Sequence, residues 1–296
     1  MKKGIQLDLS NGIKRIKVIT NGLVNSQIVG NYRSSFKGRG LEFQDYRQYS
    51  PNDDSSMIDW KASVRSKELL VRELVEERNL NVIFLIDVGS SMIYTTTNKL
   101  KMEYAAEIVA TLSFTVLESS DSVGFVLFND TVVRSVPPAS GGKHYHKLVA
   151  TLVDPRNYGG GHDLSEALKF TLAFLKEFSI VIIVSDFIDL KGDWTRYLKL
   201  IGQRFDLVGI MIRDPRDEEL PDYDGTVIFS NMAGNEMATV DVSEIKDEYV
   251  RYVQSSERVV IQSFLEARAD FIKLTTDKPF IKPISDLFLK RAKRIR

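Results

Sequence analysis

Residues 81–92 carry an apolar run straight into Asp87, Ser90 and Ser91, and a second apolar run, 180–184, ends in Ser185 and Asp186. Two such strands in one sheet bring carboxylate and hydroxyl oxygens to a single edge. Donors of this kind suit a hard cation such as Mg2+, which takes oxygen ligands and tolerates little distortion. Two acids held side by side repel each other, so the edge needs either a cation or a hydrogen-bond donor. Taken singly, Asp87, Asp186 and either serine are ordinary residues for holding loop amides or capping a helical turn.

Positioning those side chains requires a sheet. The runs 82–86, 122–128, 180–184 and 207–212 are rich in Val, Ile, Leu and Phe, as expected of strands buried on both faces. Between the first two lies 99–118, where Leu100, Tyr104, Ile108, Leu112 and Thr115 recur at helical spacing. A second helix is expected over 163–177, with Asp163 and Glu166 in a capping-box pattern, and a third over 194–201. Strand and helix in alternation predict a Rossmann-like α/β domain, a mostly parallel sheet with helices on both faces. In such sheets ligands sit outside the carboxyl ends of the strands, where Asp87 and Asp186 both fall. Residues 131–136 read as an antiparallel edge strand, and the tail as helices over 249–268 and 279–296 flanking a short run at 271–275.

The first eighty residues differ. Residues 34–54 mix Gly, Ser, Arg and Asp with Phe36, Phe43, Tyr46 and Tyr49, which suits an irregular segment, and 69–77 looks like a strand. Two units are expected: 1–76 packed on a main domain of 77–296.

Composition narrows the function. Forty basic residues balance forty acidic ones in 296 residues, so no net charge draws the chain to nucleic acid or an anionic membrane. Acids interleaved with the aromatics, Glu42, Asp45, Asp53, Asp54 and Asp59, would repel phosphate. Five basic residues within 287–296 suit a solvated helix end or an anionic partner. The absence of cysteine excludes thiolate chemistry and fits a reducing compartment, with the cytoplasm as the default. The longest apolar runs are strand-sized, so no direct membrane insertion is expected.

Three separated motifs carry a resemblance. Gly38 to Phe43, Arg47 to Asp54, and Ile58-Asp59-Trp60 through Arg65 closely resemble, in order, the signature of the bacterial and archaeal domain of unknown function 58 family. Asn52 stands where the family usually has Gly, and Ser56 where it usually has Arg. The downstream half is similar to a von Willebrand factor type A domain, which implies a metal-ion-dependent adhesion site. Mapped by that resemblance, the first loop supplies Asp87, Gly89 and Ser91, the middle loop His162, and the last loop Asp186. Gly89 replaces a hydroxyl and His162 a threonine, so the site is degenerate. The implied cofactor is Mg2+ or Mn2+, held by Asp87, Ser91 and Asp186, with His162 favouring the softer ions. The opposing reading is a site without metal that serves structure alone.

The enzyme readings are disfavoured on chemistry. Position 89 is Gly, where a haloacid-dehalogenase-type phosphotransferase needs a second acid. The glycines 159–161 lack the lysine of a phosphate loop and read as a flexible connection. Ser91, His162 and Asp186 make a hydrolase triad only on paper, because no nucleophile elbow surrounds the serine. The resemblance implies instead a non-enzymatic adaptor of a MoxR-type AAA+ ATPase, acting beside other von Willebrand A proteins. The competing reading is a metal-independent scaffold, with a divalent-metal hydrolase a distant third. In the first half, Glu42, Arg47, Asp59 and Arg65 are expected as an ion-pair network around Trp60, and Arg47, Asp54 and Arg65 as the alternative partner-docking surface.

Overall fold

The computed structural model describes residues 26–36, 42–51, 53–75, 79–223, 225–230 and 237–294. Motif positions 38–41 and Asn52 lie outside them, as does the side chain of Glu42.

A six-stranded sheet organises the chain. Its strands are β3 (Asn81–Asp87), β4 (Ser122–Phe128), β5 (Val132–Ala139), β6 (Ser179–Ser185), β7 (Asp206–Arg213) and β10 (Asp270–Thr275), in the order β10-β7-β6-β3-β4-β5. All neighbours run parallel except β5, which returns antiparallel on β4 and closes that edge. Two further ribbons pair β1 (Glu42–Gln48) with β2 (Leu70–Val75) and β8 (Thr226–Ser230) with β9 (Met237–Asp241). The expected strands and antiparallel edge are therefore present. β1 is a correction, since it lies in the stretch expected to be irregular.

Successive residues of β3 alternate between two cores, as strand geometry demands. Val82, Phe84 and Ile86 pack with α3 (Lys101–Glu118), α4 (Gly142–Leu152), α9 (Ile281–Arg294) and α1 (Ser26–Phe36). Ile83 and Leu85 pack on the other face with α5 (Leu164–Phe174), α6 (Trp194–Arg204) and α8 (Val242–Glu266). Both layers are needed because every residue of β6 is buried.

The helix α1 is pinned to the last helix. Asn31 donates to Ser285 at 2.7 Å, Ser35 to the Phe288 carbonyl at 2.8 Å, and the Tyr32, Phe36 and Phe288 rings stack edge to face or tilted. The basic end of α9 is partly consumed inside the fold. Buried Arg291 bonds Asp206 and Asp270 at the amino ends of β7 and β10, Arg294 joins on Asp270, and the Arg291 guanidinium lies 4.5 Å from the centre of the Phe36 ring.

Candidate functional site

The pairing of β3 with β6 sets Ile86 opposite Val184, so Asp87 and Ser185 emerge side by side with Asp186 next in line. All three are fully buried. The Asp87 carboxylate is surrounded by donors: Oδ1 accepts from the Gly89 amide at 2.8 Å, and Oδ2 accepts from the Ser185 hydroxyl at 2.7 Å. His162 brings Nδ1 to 2.8 Å from the same Oδ2, an ion-pair approach without the alignment of a hydrogen bond. Burial works against a charged imidazole here, but the Asp87 carboxylate outweighs it and holds the His162 pKa above its ordinary value.

Asp186 meets a cation supplied by the protein. Lys101, the first residue of α3 and only 1% exposed, places Nζ 2.8 Å from Asp186 Oδ2 and 2.9 Å from Asp217 Oδ2. The other Asp186 oxygen accepts from the Ile188 amide at 3.1 Å. Burial opposes ionisation of both partners, yet each keeps the other charged, with Lys101 raised and Asp186 lowered. Asp217 lies in the short helix α7 (Pro215–Glu218) and also takes the Asp214 amide at 2.9 Å. Asp214 in turn accepts from the Thr96 amide at 2.7 Å, so α3, β6 and the end of β7 are bound through one chain of charges.

The middle loop is a strap rather than the flexible connection expected of three glycines. The Gly159 amide donates to the Val88 carbonyl at 2.8 Å, Ser90 to the Gly160 carbonyl at 3.0 Å, and Gly161 to Asp130 Oδ2 at 2.6 Å. Asn129 holds the Gly159 carbonyl at 2.8 Å. This closeness explains Gly89, where an added Cβ would lie 2.6 Å from the Gly161 carbonyl oxygen. A serine there has no room while the strap is closed.

The four residues assigned to a metal thus separate into different roles. Asp87 and His162 face each other, Asp186 faces Lys101, and Ser91 sits half-buried in the 3-10 turn Ser90–Ile93. Among the described residues no group of three or more His, Asp or Glu converges as a metal site. Mg2+ or Mn2+ needs several open oxygens near octahedral positions; here the carboxylate oxygens already accept from amides, a hydroxyl and an ammonium, and an imidazole lies against one of them. The donor set does not fit the ion. Asp163 is the expected helix cap, accepting from the Glu166 amide at 3.2 Å.

The motif region forms its own platform. Arg47 grips Asp53 through both guanidinium nitrogens, Nη2 to Oδ1 at 2.6 Å, and Asp53 also takes the Ser50 amide at 2.8 Å. Asp54 caps the turn Ser55–Met57 through the Ser56 amide at 2.9 Å. Asp59 caps α2 (Trp60–Ser66), with Oδ1 accepting from the Lys61 and Ala62 amides and Oδ2 from the Tyr46 hydroxyl. Trp60, expected at the centre of an enclosing network, instead stands 64% exposed, and Arg65 is exposed on the last turn of the same helix.

The mostly parallel sheet with one antiparallel edge, helices on both faces and acids at its carboxyl edge define a Rossmann-like α/β module, the architecture that the resemblance to von Willebrand A domains implies. Asp87 and Asp186, which the resemblance maps to an adhesion site, are met by protein donors and cations. The chain belongs to a family described as protein of unknown function DUF58, whose model matches residues 45–259. An uncharacterized protein of Mycobacterium bovis is 23% identical over 279 residues, covering 93% of this chain and 87% of its own length. An uncharacterized protein of Mycobacterium avium is 28% identical over 151 residues, 50% of this chain and 88% of its own. Among solved structures, the conserved hypothetical protein BatB from Bacteroides thetaiotaomicron is 15% identical with a TM-score of 0.49, over 73% of this chain and 100% of that one. A von Willebrand factor type A protein from Catenulispora acidiphila is 12% identical with a TM-score of 0.43, over 73% and 43% of the two chains. No helix among the described residues is long and apolar enough to cross a membrane.

Proposed function

We propose that the chain is a non-catalytic protein-interaction module that serves as adaptor to a MoxR-type AAA+ ATPase and captures its partner without a metal ion. The observation that carries the metal-independent part is Lys101: a buried ammonium bridges Asp186 and Asp217, where a divalent cation would otherwise be required to neutralise the edge. Against hydrolysis by a Ser91–His162–Asp186 triad stands the geometry of its members: His162 faces Asp87 and neither ring nitrogen hydrogen-bonds Ser91, while Asp186 is paired with Lys101. The assignment of the ATPase rests on the family resemblance.

The test is co-sedimentation or interferometry of the purified chain with a MoxR-type ATPase, in EDTA and in millimolar Mg2+ with a non-hydrolysable nucleotide. The nucleotide is loaded on the ATPase beforehand, so that chelation is read on this chain. Equal affinity in both conditions, with no thermal shift of the isolated chain in Mg2+ or Mn2+, is the expected result. Binding abolished by EDTA and restored by metal on the adaptor alone would return the ion to the mechanism.

A further inference from the structure

The platform built by β1, β2 and α2 has an uneven surface. A groove of about 860 Å³ is lined by Tyr46, Ile58, Asp59, Trp60, Arg65 and Leu70, among others. Its floor is apolar, with Ile58 buried and Leu70 half-buried, while Trp60 rises from it 64% exposed. Val64, one helical turn on, is 79% exposed, and Met57 and Leu69 stand 40% and 47% exposed nearby. Trp60 and Val64 sit four residues apart and so share one side of α2. An exposed tryptophan beside a large groove is the residue type that most often anchors a protein interface.

Charge selects the occupant. The platform acids whose side chains are described are engaged: Asp53 by Arg47, Asp54 and Asp59 by helix-capping amides, and Glu68 by the Gln48 amide group at 2.8 Å. Lys61 and Arg65, also four residues apart and both lining the groove, are exposed and have no described anionic partner. Among the described residues, the two cations lining the groove are therefore left without an anionic partner, while the carboxylate oxygens nearby are occupied by donors.

We infer that this groove docks an acidic segment of a partner protein, an apolar side chain packing on Trp60 and its carboxylates meeting Lys61 and Arg65. The inference rests on the reading of the chain as an interaction module and names the surface and the partner chemistry. Arg offers a planar, two-pronged grip on a carboxylate and Lys a point charge, so the pair favours a segment with acids flanking its anchor.

The chain contains two tryptophans, and the other, Trp194, is 6% exposed, so collisional quenching by acrylamide reports mainly on Trp60. The full chain is titrated with three tryptophan-free probes: a 12-residue peptide of Asp and Glu around a Leu-Phe anchor, the same peptide with Lys for every acid, and a 12-mer of thymidylate. The acidic peptide is expected to protect Trp60 from acrylamide saturably, while the other two leave quenching unchanged. Lys61→Glu combined with Arg65→Glu weakens binding roughly tenfold or more, and Trp60→Ala, read by calorimetry, weakens it about thirtyfold. Far-UV circular dichroism checks that both variants are folded. Equal protection by the basic peptide or by thymidylate overturns the acidic-partner assignment, and no protection by the acidic peptide at millimolar concentration overturns the surface.

The same variants are then tested against the MoxR-type ATPase. An ATPase that binds the wild-type chain and the Trp60→Ala chain equally overturns this surface but leaves the module reading intact. An ATPase that fails to bind while the acidic peptide binds removes the ATPase and keeps the groove.

Discussion

At the carboxyl edge of the sheet, Asp87, Asp186, Lys101 and His162 are buried or nearly so and face one another; on the β1–α2 platform, Lys61 and Arg65 face solvent while Asp53, Asp54 and Asp59 hold backbone amides or Arg47. Both regions hold the residue types that invite a chemical reading. The difference is whether the groups are left with an unmet requirement. A carboxylate enclosed by amides, a hydroxyl and a cation has little left to offer a ligand, and removing one member exposes the others to the full cost of burial. An exposed indole beside two cations with no anionic partner among the described residues has the opposite character, contributing little to folding and remaining open to contact.

That contrast predicts a graded set of outcomes. The largest effect is expected for Lys101→Met, which leaves buried Asp186 and half-buried Asp217 without their cation and should lower stability by ~3–5 kcal/mol in urea unfolding. A loss under 1 kcal/mol would mean that the edge is not built on this ion pair. Adding Mn2+ to the variant sharpens the comparison, because recovery of stability would show that the vacated position accepts a divalent ion once the ammonium is gone.

Next comes Gly89→Ser, which restores the hydroxyl of the adhesion motif but forces its Cβ against the Gly161 carbonyl. Overpacking of this kind is expected to cost ~1–3 kcal/mol, measured by the same unfolding series. A neutral result would show that the strap opens freely.

A smaller effect should be visible in pH. His162 has a folded pKa above the ordinary histidine value, so the stability it contributes is fully present below about pH 6.5 and is lost as pH rises through the folded value. The groups acting on it are Asp87, Asp186 and Asp163. His162→Gln should flatten the alkaline side of the stability profile between neutrality and mildly basic pH; an unchanged profile would remove the imidazolium from the edge. The smallest expected change belongs to Trp60→Ala, within ~0.5 kcal/mol of wild type in unfolding. A large loss there would make the platform a core element rather than a docking surface.

Much of the architecture was readable beforehand because a doubly covered sheet writes itself in apolar runs. The run at 122–128 coincides with β4, and β6 and β7 extend their expected ranges by one residue at each end. Elements outside that sheet were harder to see. β1 reads Glu-Phe-Gln-Asp-Tyr-Arg-Gln, a ribbon strand with polar residues at most positions and no continuous hydrophobic signal. α4 begins after Gly141 with neither an acidic first turn nor a side-chain cap, so it lacked the usual start marks.

The site was half legible. Asp87 and Asp186 fall at neighbouring strand ends as expected, but the partner of Asp186 was missed because a lysine opening a helix reads as solvated. The missing signal was phase: Lys101 lies on the same helical repeat as Tyr104, Ile108, Leu112 and Thr115, all buried, and a charge in that register must be matched inside the fold.

The edge strand β5 has a bearing on assembly. Its Pro137 and Pro138 are consecutive and carry no N–H, and successive residues of a strand point their amides to opposite sides, so one donor is lost from the rim whichever way the strand faces. Beside them Gly124 of β4 lies so near that an added Cβ would be 2.7 Å from the Pro138 nitrogen, which keeps the pair pressed inward. An extended peptide, or a second copy of the sheet, therefore finds an interrupted template along this margin. Neither strand donation nor fibre-like stacking should propagate through the proline pair.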